Sequence, residues 1–201
     1  METSEETLKY YLSSGGLDSI PKENFSNFDP GKQKDPKSKR LAEEMVINTF
    51  NWVKEELTPF LAIFGNTGVG KTHMCRASAY FLASYQESFI HMTNQRFITI
   101  MKDFDKHESI SSNELISDLM NRKFLIFDEI GFQYDPSGWL TTTLDGILIH
   151  RFDEELPTLI CGNVQPKGQI LTDRLKSRMK EKTMFTVTDM WDVKDYRGSK
   201  K

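Results

Sequence analysis

The feature that most constrains the fold is a glycine-rich octapeptide, Gly65–Thr72, with the sequence Gly-Asn-Thr-Gly-Val-Gly-Lys-Thr. It fits the pattern G-x-x-x-x-G-K-[ST], in which a loop joins a buried strand to a helix. The apolar run Phe60–Phe64 comes directly before it, and a helical pattern of apolar residues follows. Strands that alternate with helices along the chain predict an α/β fold with a parallel sheet covered on both faces.

The residue types of this loop suit a phosphate ligand. Glycines let successive backbone N–H groups curl around an anion, and the helix that begins near Lys71 directs its positive dipole end to the same place. Lys71 supplies a charge to the β- and γ-phosphates, and the Thr72 hydroxyl is placed to ligate Mg²⁺. We therefore expect ATP and Mg²⁺ to bind to Gly65, Asn66, Thr67, Gly68, Val69, Gly70, Lys71, Thr72 and His73.

A second apolar run, Phe124–Phe127, ends in the acidic pair Asp128-Glu129. The carboxyl ends of parallel strands meet at one edge of a sheet, so this pair should lie beside the glycine-rich loop. Asp128 is expected to bind the cofactor and, with Thr72, to hold Mg²⁺. Glu129 is expected to face the γ-phosphate, where it can orient and polarise the attacking water.

Asn163 directly follows a third predicted strand, Thr158–Cys161. Its amide should lie between the Asp128 strand and the glycine-rich loop, near the γ-phosphate. The alternative is a turn asparagine without a part in the reaction.

Two arginines, Arg174 and Arg178, lie one turn apart on a predicted helix near the end of the chain. The buried stripe of this helix is formed by Leu171, Leu175 and Met179. One face therefore carries two guanidinium groups, either as part of a site or as a solvated basic surface.

Residues 1–37 are predicted to form an N-terminal arm that is largely irregular, because residues 13–40 are rich in Ser, Gly, Pro, Asn and Lys. Phe25 and Phe28 are its expected anchors.

Residues 38–201 are predicted to form the nucleotide-binding domain. Its first helix begins near Ser38, ends at Pro59 and has one apolar face, made of Val46, Phe50, Val53 and Leu57.

Composition restricts the partners and the compartment. The formal net charge of −3 predicts no global attraction to nucleic acid, so any DNA contact needs a local basic patch. The two cysteines, Cys75 and Cys161, lie in apolar segments and are expected to be small buried hydrophobes. The acidic start predicts no signal peptide, and no apolar run approaches the ~20 residues of a membrane span. A cytoplasmic protein is expected.

Three stretches resemble bacterial replicative helicase loaders of the DnaC and DnaI type and, more broadly, IstB-like ATPases. They are Phe64–His73, Phe124–Gln133 and Leu171–Met179. The similarity runs from about residue 15 to the end, and Asp195-Tyr196-Arg197 is similar to the tail of the family.

This resemblance implies an AAA+ ATPase core with a five-stranded sheet in the order 5-1-4-3-2 and no C-terminal lid. It makes Asn163 the first sensor, and Arg178 an arginine finger that reaches the ATP of a neighbour, with Arg174 beside it. The protein would then self-associate through its ATP sites, and hydrolysis would be completed at a subunit interface.

The resemblance also implies that two helices around residues 94–120 form an insertion that faces single-stranded DNA. Lys102, Phe104, Tyr134 and Trp139 are candidate contacts, since aromatic rings stack on bases and lysine binds phosphate; packing is the alternative for Phe104 and Trp139.

The loaders carry an N-terminal helicase-binding domain, whereas about 15 residues precede the similar region here. A short form, a truncated chain and a different grip on the partner all remain open.

The predicted function is that of an ATP-dependent replication factor that places or remodels a replicative helicase on single-stranded DNA. An IstB-like helper acting on a transposase and duplex DNA is the alternative. A small-molecule kinase is disfavoured because Glu129 suits water activation and no arginine-rich lid follows the core. A nucleotide-dependent adaptor with negligible turnover would differ only in rate.

Overall fold

A computed structural model describes residues 3–102, 112–131, 138–163 and 172–196. The α-helices within these ranges are α1 Glu5–Ser14, α2 Pro36–Val53, α3 Lys71–Ser84, α4 Asn94–Lys102, α5 Ser112–Asn121, α6 Trp139–Asp153 and α7 Asp173–Arg178. The strands are β1 Phe60–Gly65, β2 Phe89–Thr93, β3 Phe124–Ile130, β4 Thr158–Gly162 and β5 Phe185–Met190.

These strands form one parallel sheet in the order β2-β3-β4-β1-β5. Read from the other edge the order is 5-1-4-3-2, which confirms the expectation. Strand β4 lies between β1 and β3, and Phe64 of β1 is in register with Gly162 of β4. The residues that follow these three strands therefore emerge side by side at the carboxyl edge of the sheet.

Both faces of the three inner strands, β1, β3 and β4, are buried, as predicted. Along β3, Phe124 and Ile126 belong to one core cluster, and Leu125 and Phe127 belong to the other. Helices α1, α2 and α3 cover the first face, and α4, α5, α6 and α7 cover the second. This double burial explains the continuous apolar runs, because neighbouring side chains of a strand point to opposite faces.

The predicted buried face of α2 is wrong in part. The helix ends at Val53, before Pro59, and Phe50 is 37% exposed. Val53 is buried as predicted, and Val46 and Leu57 are partly buried against the core. The other buried residues of the helix are Ser38, Ala42, Met45, Thr49 and Trp52. Trp52 fixes this rotation, because its indole N–H donates to the Pro59 carbonyl at 2.9 Å and its ring contacts Phe124.

The N-terminal arm contains a helix, α1, in a region expected to be largely irregular. Ser4 caps its first turn by accepting the Thr7 N–H at 3.2 Å, and Leu8 and Leu12 pack into the core beneath α3. The predicted anchors Phe25 and Phe28 do pack against this core.

Arg151 of α6 holds the second layer of helices to the sheet. It is fully buried, and its guanidinium donates to the Thr158 hydroxyl at 2.8 Å. It also donates to backbone carbonyls at the end of α5 and beside β3 and β4, namely those of Leu119, Met120, Arg122, Lys123 and Pro157. Burial lowers its pKa to about 9, so it remains charged at neutral pH.

Arg151→Met is expected to lower the free energy of unfolding by about 3–5 kcal/mol, because several buried carbonyls lose their donor at once. Chemical denaturation measures this change. Arg40→Met replaces an exposed arginine of α2 and should change stability by less than about 0.5 kcal/mol. Equal effects of the two substitutions would show that the hydrogen bonds of Arg151 are dispensable.

Among the described residues, no helix has both the length and the apolar composition needed to cross a membrane.

Candidate nucleotide-binding site

A cavity of about 640 Å³ lies at the carboxyl edge of the sheet. This volume is in the range of small-molecule sites. Segments distant in sequence line it together: Glu23, Thr67, Gly68, Gly70, Lys71, Thr72, His73, Asp128, Glu129, Ile130, Gly131, Gly162 and Asn163.

The backbone of the loop requires glycine at two positions. Gly68 has φ of 80° and Gly70 has φ of 106°, in the left-handed region that side chains rarely adopt. A Cβ at Gly70 would also meet the Phe28 ring at 2.5 Å, and one at Gly68 would collide with the Asp195 carboxylate. The loop is thus shaped from both sides, by the N-terminal arm and by the segment after β5.

Lys71 begins α3 and lies at the base of the cavity. Its Nζ donates to the carbonyls of Gly65 and Asn66, both at 2.7 Å, and to Oδ1 of Asn163 at 2.5 Å. Burial lowers the pKa of Lys71. An anionic phosphate beside the ammonium would oppose that shift by favouring the charged form.

Asn163 joins β4 to the glycine-rich loop. Its Oδ1 accepts from Lys71, and its Nδ2 donates to the Thr67 hydroxyl at 3.0 Å. The structure therefore places this amide between the Asp128 strand and the loop, where the sequence pattern predicted it.

Asp128 lies at the end of β3 and is only 2% exposed. Burial raises the pKa of its carboxyl, while hydrogen bonds from the Thr72 hydroxyl and the Glu129 N–H, the latter at 2.8 Å, act in the opposite direction. Thr72 and Asp128 thus offer adjacent oxygen ligands. This donor set fits Mg²⁺, which prefers oxygen and keeps several of its waters.

Glu129 has an unusual backbone conformation, with φ of 60°. The other non-glycine residues with positive φ, among those described, are Glu55, Gln86 and Glu155, and each lies just after a helix end. Glu129 instead lies inside β3, where the register with β4 shifts between Phe127 and Ile130. Such strain costs about 1–3 kcal/mol, and Glu129 is an exposed residue that lines the cavity.

The N-terminal arm forms one wall of the site. Glu23 lines the cavity and pairs with Arg76 of α3 at 3.0 Å. The His73 ring donates from Nε2 to the Asn24 carbonyl at 3.0 Å and packs edge-on against Phe28. His73 therefore fixes the arm to the first turn of α3.

The segment after β5 forms a second wall. The Tyr196 N–H donates to the Gly68 carbonyl at 2.9 Å, and its ring lies 5.0 Å from that of Phe28. Asn66 donates from its side chain to the Trp191 carbonyl at 2.8 Å. Burial raises the pKa of Tyr196 to about 12, so the phenol stays protonated at neutral pH.

Not every predicted site residue lines the cavity. Val69 is fully buried in the core. Gly65 and Asn66 contribute backbone carbonyls that accept hydrogen bonds from Lys71. Arg174 and Arg178 are not among the described residues that line the cavity.

Arg178 is held against α6 of its own chain. It pairs with Asp153 at 2.8 Å, and its guanidinium lies 5.2 Å from the centre of the Phe152 ring. Its Nε is buried and has no hydrogen-bond partner. Arg174 is exposed on α7.

The candidate DNA contacts are placed only in part. Lys102 is exposed at the end of α4, and Trp139 is 47% exposed at the start of α6. Phe104 and Tyr134 lie outside the described residues, as does Leu171 of the predicted helical stripe.

Four residues of the cavity lining were not predicted from the sequence, namely Glu23, Ile130, Gly131 and Gly162. Glu23 reaches the cavity through contacts of the arm with α3, which are long-range. Gly162 is required because a Cβ there would collide with the Ile130 carbonyl at the β3–β4 contact. A glycine directly before Asn163 was the available clue to such a close approach.

The family model described as the bacterial DnaA ATPase domain matches residues 21–185. The replicative helicase loader DnaC of Escherichia coli K12 is 28% identical over 130 residues, which cover 64% of this chain and 53% of DnaC. The loader DnaI of Bacillus subtilis is 28% identical over 107 residues, which cover 53% of this chain and 33% of DnaI. The chain thus matches about half or less of these relatives, and their names confirm the resemblance to helicase loaders.

A solved structure of the replication initiator DnaA bound to AMPPCP and single-stranded DNA has a similar fold, with a TM-score of 0.62 and 20% identity. The match covers 84% of this chain and 50% of that one. Because the family model spans most of the sheet, the glycine-rich loop, the acidic pair and Asn163, the chain belongs to the bacterial DnaA ATPase domain family of AAA+ proteins.

Proposed function

We propose that this protein is an ATP-dependent DNA replication factor that places or remodels a replicative helicase on single-stranded DNA. One observation carries the proposal: a single cavity gathers the glycine-rich loop, Asp128, Glu129 and Asn163. Membership of an ATPase domain family and the printed names of the relatives support the same conclusion.

Within the cavity each residue has a distinct role. The loop N–H groups and Lys71 bind the phosphates of ATP, and Thr72 and Asp128 hold Mg²⁺, which neutralises charge on the phosphates. Glu129 orients and polarises the attacking water. Asn163 already contacts Lys71 and Thr67, so its amide can sense the γ-phosphate and couple it to β4.

The site is completed by a second copy of the chain. Arg178 does not line the cavity of its own chain, and Phe152 and Asp153 hold its guanidinium at the surface of α6 and α7. We infer that Arg178 reaches the γ-phosphate of a neighbour, with Arg174 beside it. ATP would then tie subunits together, and hydrolysis would loosen them.

The proposed DNA surface lies on the α4–α6 face of the sheet. Exposed Lys102 and Trp139 offer a charge for phosphate and a ring for stacking, and Phe104 and Tyr134 belong to the same proposal. The DnaA whose fold is similar is bound to single-stranded DNA. The names of the relatives favour a helicase over a transposase as the partner.

The test is capture of a purified hexameric replicative helicase on beads that carry single-stranded DNA, with the chain and ATP·Mg²⁺ present. We expect the helicase to be retained only when both the chain and ATP are present. Lys102→Ala should weaken this retention, and higher salt should reduce it. Lys9→Ala, at an exposed position of α1, is the matched control and should be neutral. Retention of a transposase on duplex DNA, without retention of the helicase, would replace the proposal by the transposition alternative.

A further inference from the structure

Three potential metal ligands meet beneath the glycine-rich loop. They are the thiols of Cys75 on α3 and Cys161 on β4, and the carboxylate of Asp128 on β3. One ligand atom from each lies within 4.8 Å of the others. Both thiols are fully buried, and they are the two cysteines of the sequence. Phosphate binding and hydrolysis, as proposed above, use neither thiol.

We propose that Cys75, Cys161 and Asp128 form a binding site for a thiophilic divalent cation such as Zn²⁺ or Cd²⁺, and that this cation inhibits ATP turnover by taking Asp128 away from Mg²⁺. The binding part of the proposal is independent of the proposed function; the inhibition part rests on it.

The spacing of the three groups suits such a cation. Zn–S bonds of about 2.3 Å and Zn–O bonds of about 2.0–2.2 Å place neighbouring ligands of a tetrahedral site about 3.6–3.8 Å apart. Because the three ligand atoms all lie within 4.8 Å of one another, side-chain shifts of at most about 1 Å bring them to these distances. Three protein ligands leave a fourth position open, and two sulfur ligands select zinc or cadmium over magnesium.

The charges around the site also balance. When the cation binds, two S–H bonds break, two metal–sulfur bonds form and two protons leave to solvent. Two thiolates, one carboxylate and a divalent cation sum to one negative charge. The Lys71 ammonium lies close enough to both cysteines and to Asp128 to interact with them electrostatically, so it offsets that charge. The buried site as a whole is then neutral, which limits the cost of burial.

The nucleotide cavity offers the route of entry. Asp128 lines the cavity, whereas the two thiols do not belong to its described lining. A cation would therefore meet Asp128 first and the thiols behind it. Because Thr72, Asp128 and Lys71 also line the cavity, bound ATP·Mg²⁺ would obstruct this route.

The test titrates the full chain with Cd²⁺ and follows the ultraviolet charge-transfer band of cadmium thiolates. We expect the band to saturate at one equivalent. Cys75→Ala or Cys161→Ala should weaken binding at least tenfold, and the double variant should lose the band. Alanine is used because a buried cysteine packs as a small hydrophobe. Ser84→Ala, at the end of α3 away from the cluster, is the control and should bind Cd²⁺ as the unchanged chain does.

Two readouts on the unchanged chain keep the proposal testable if the cysteine variants fold poorly. ATP·Mg²⁺ added first should slow Cd²⁺ uptake at least tenfold, and Zn²⁺ should inhibit turnover until a zinc-selective chelator restores it. Absence of the band, or a band that saturates only after many equivalents of Cd²⁺, would overturn the proposed site. A normal band at one equivalent together with undiminished turnover would overturn the inhibition alone. Absent turnover with ATP·Mg²⁺ and no added Zn²⁺ or Cd²⁺ would instead refute the proposed ATPase.

Discussion

Glu129→Gln is expected to lower ATP turnover by about 10²–10⁴-fold, while ATP binding stays near its original value. The substitution keeps the shape of the side chain and removes its ability to polarise water. Binding should persist because Lys71, Thr72 and Asp128 are unchanged, and because the hydrogen bond that Glu129 donates to Asp128 comes from its backbone N–H. Phosphate release measures turnover, and a fluorescent ATP analogue measures binding.

Glu154→Gln provides the matched control for this experiment. Glu154 is an exposed residue that follows the end of α6, so the same change of charge there should leave turnover intact. Turnover that is undiminished in Glu129→Gln would remove this carboxylate from the reaction. Loss of ATP binding in the same variant would assign Glu129 to the ligand site and not to hydrolysis.

Arg178→Ala is expected to lower turnover of the assembled protein by about 10³–10⁵-fold, the range found for arginine fingers. ATP binding by an isolated chain should be retained, because Arg178 does not line its own cavity. Arg178→Lys should not restore the rate, since lysine lacks the planar fork that grips phosphate oxygens.

Folding should survive Arg178→Ala. Asp153 is exposed, and a surface ion pair contributes about 0–1 kcal/mol. Lys180→Ala removes one exposed positive charge two residues away and is the control for a general electrostatic effect. If both variants lost turnover equally, the effect would belong to the charge of this surface and not to a finger.

The sheet and the loop could be predicted because their signals are local. Continuous apolar runs such as Phe60–Phe64 and Phe124–Phe127 indicate strands buried on both faces, and the glycine-rich motif specifies the loop and the helix start after β1. Once the strand order is assigned from the resemblance, the meeting of Lys71, Asp128 and Asn163 follows from topology. Their contacts in the structure agree with that placement.

Two features differ from the sequence-based expectation, the helix α1 and the buried face of α2. The signals for α1 were present, with Ser4 as the cap, Leu8 and Leu12 one turn apart and Gly15 after the end. The prediction of an irregular arm rests on the composition of residues 13–40, which hardly overlaps this helix. The face of α2 was misassigned because a count of apolar residues passes over Thr49, whose hydroxyl is satisfied by the Met45 carbonyl at 2.7 Å.

The walls of the site could not be read from the sequence. The contacts of Glu23 with Arg76 and of Tyr196 with Gly68 join segments far apart in the chain. The left-handed backbone of Glu129 is equally hidden, because glutamate has no preference for positive φ and the surrounding sheet imposes it. The local sequence therefore identifies the residues that bind phosphate and metal, but not the residues that form the walls around them.

In the proposed function each ATP site is shared between two copies of the chain. The most direct measurement of this sharing mixes Arg178→Ala with Glu129→Gln protomers, each inactive alone, and records ATP turnover across mixing ratios. A cavity of an Arg178→Ala chain that faces a Glu129→Gln neighbour has both an intact Glu129 and an intact Arg178. At equal amounts, about a quarter of the interfaces should have this composition, and a comparable share of activity should return. Turnover that stays at the level of the separate variants at every ratio would contradict the shared site.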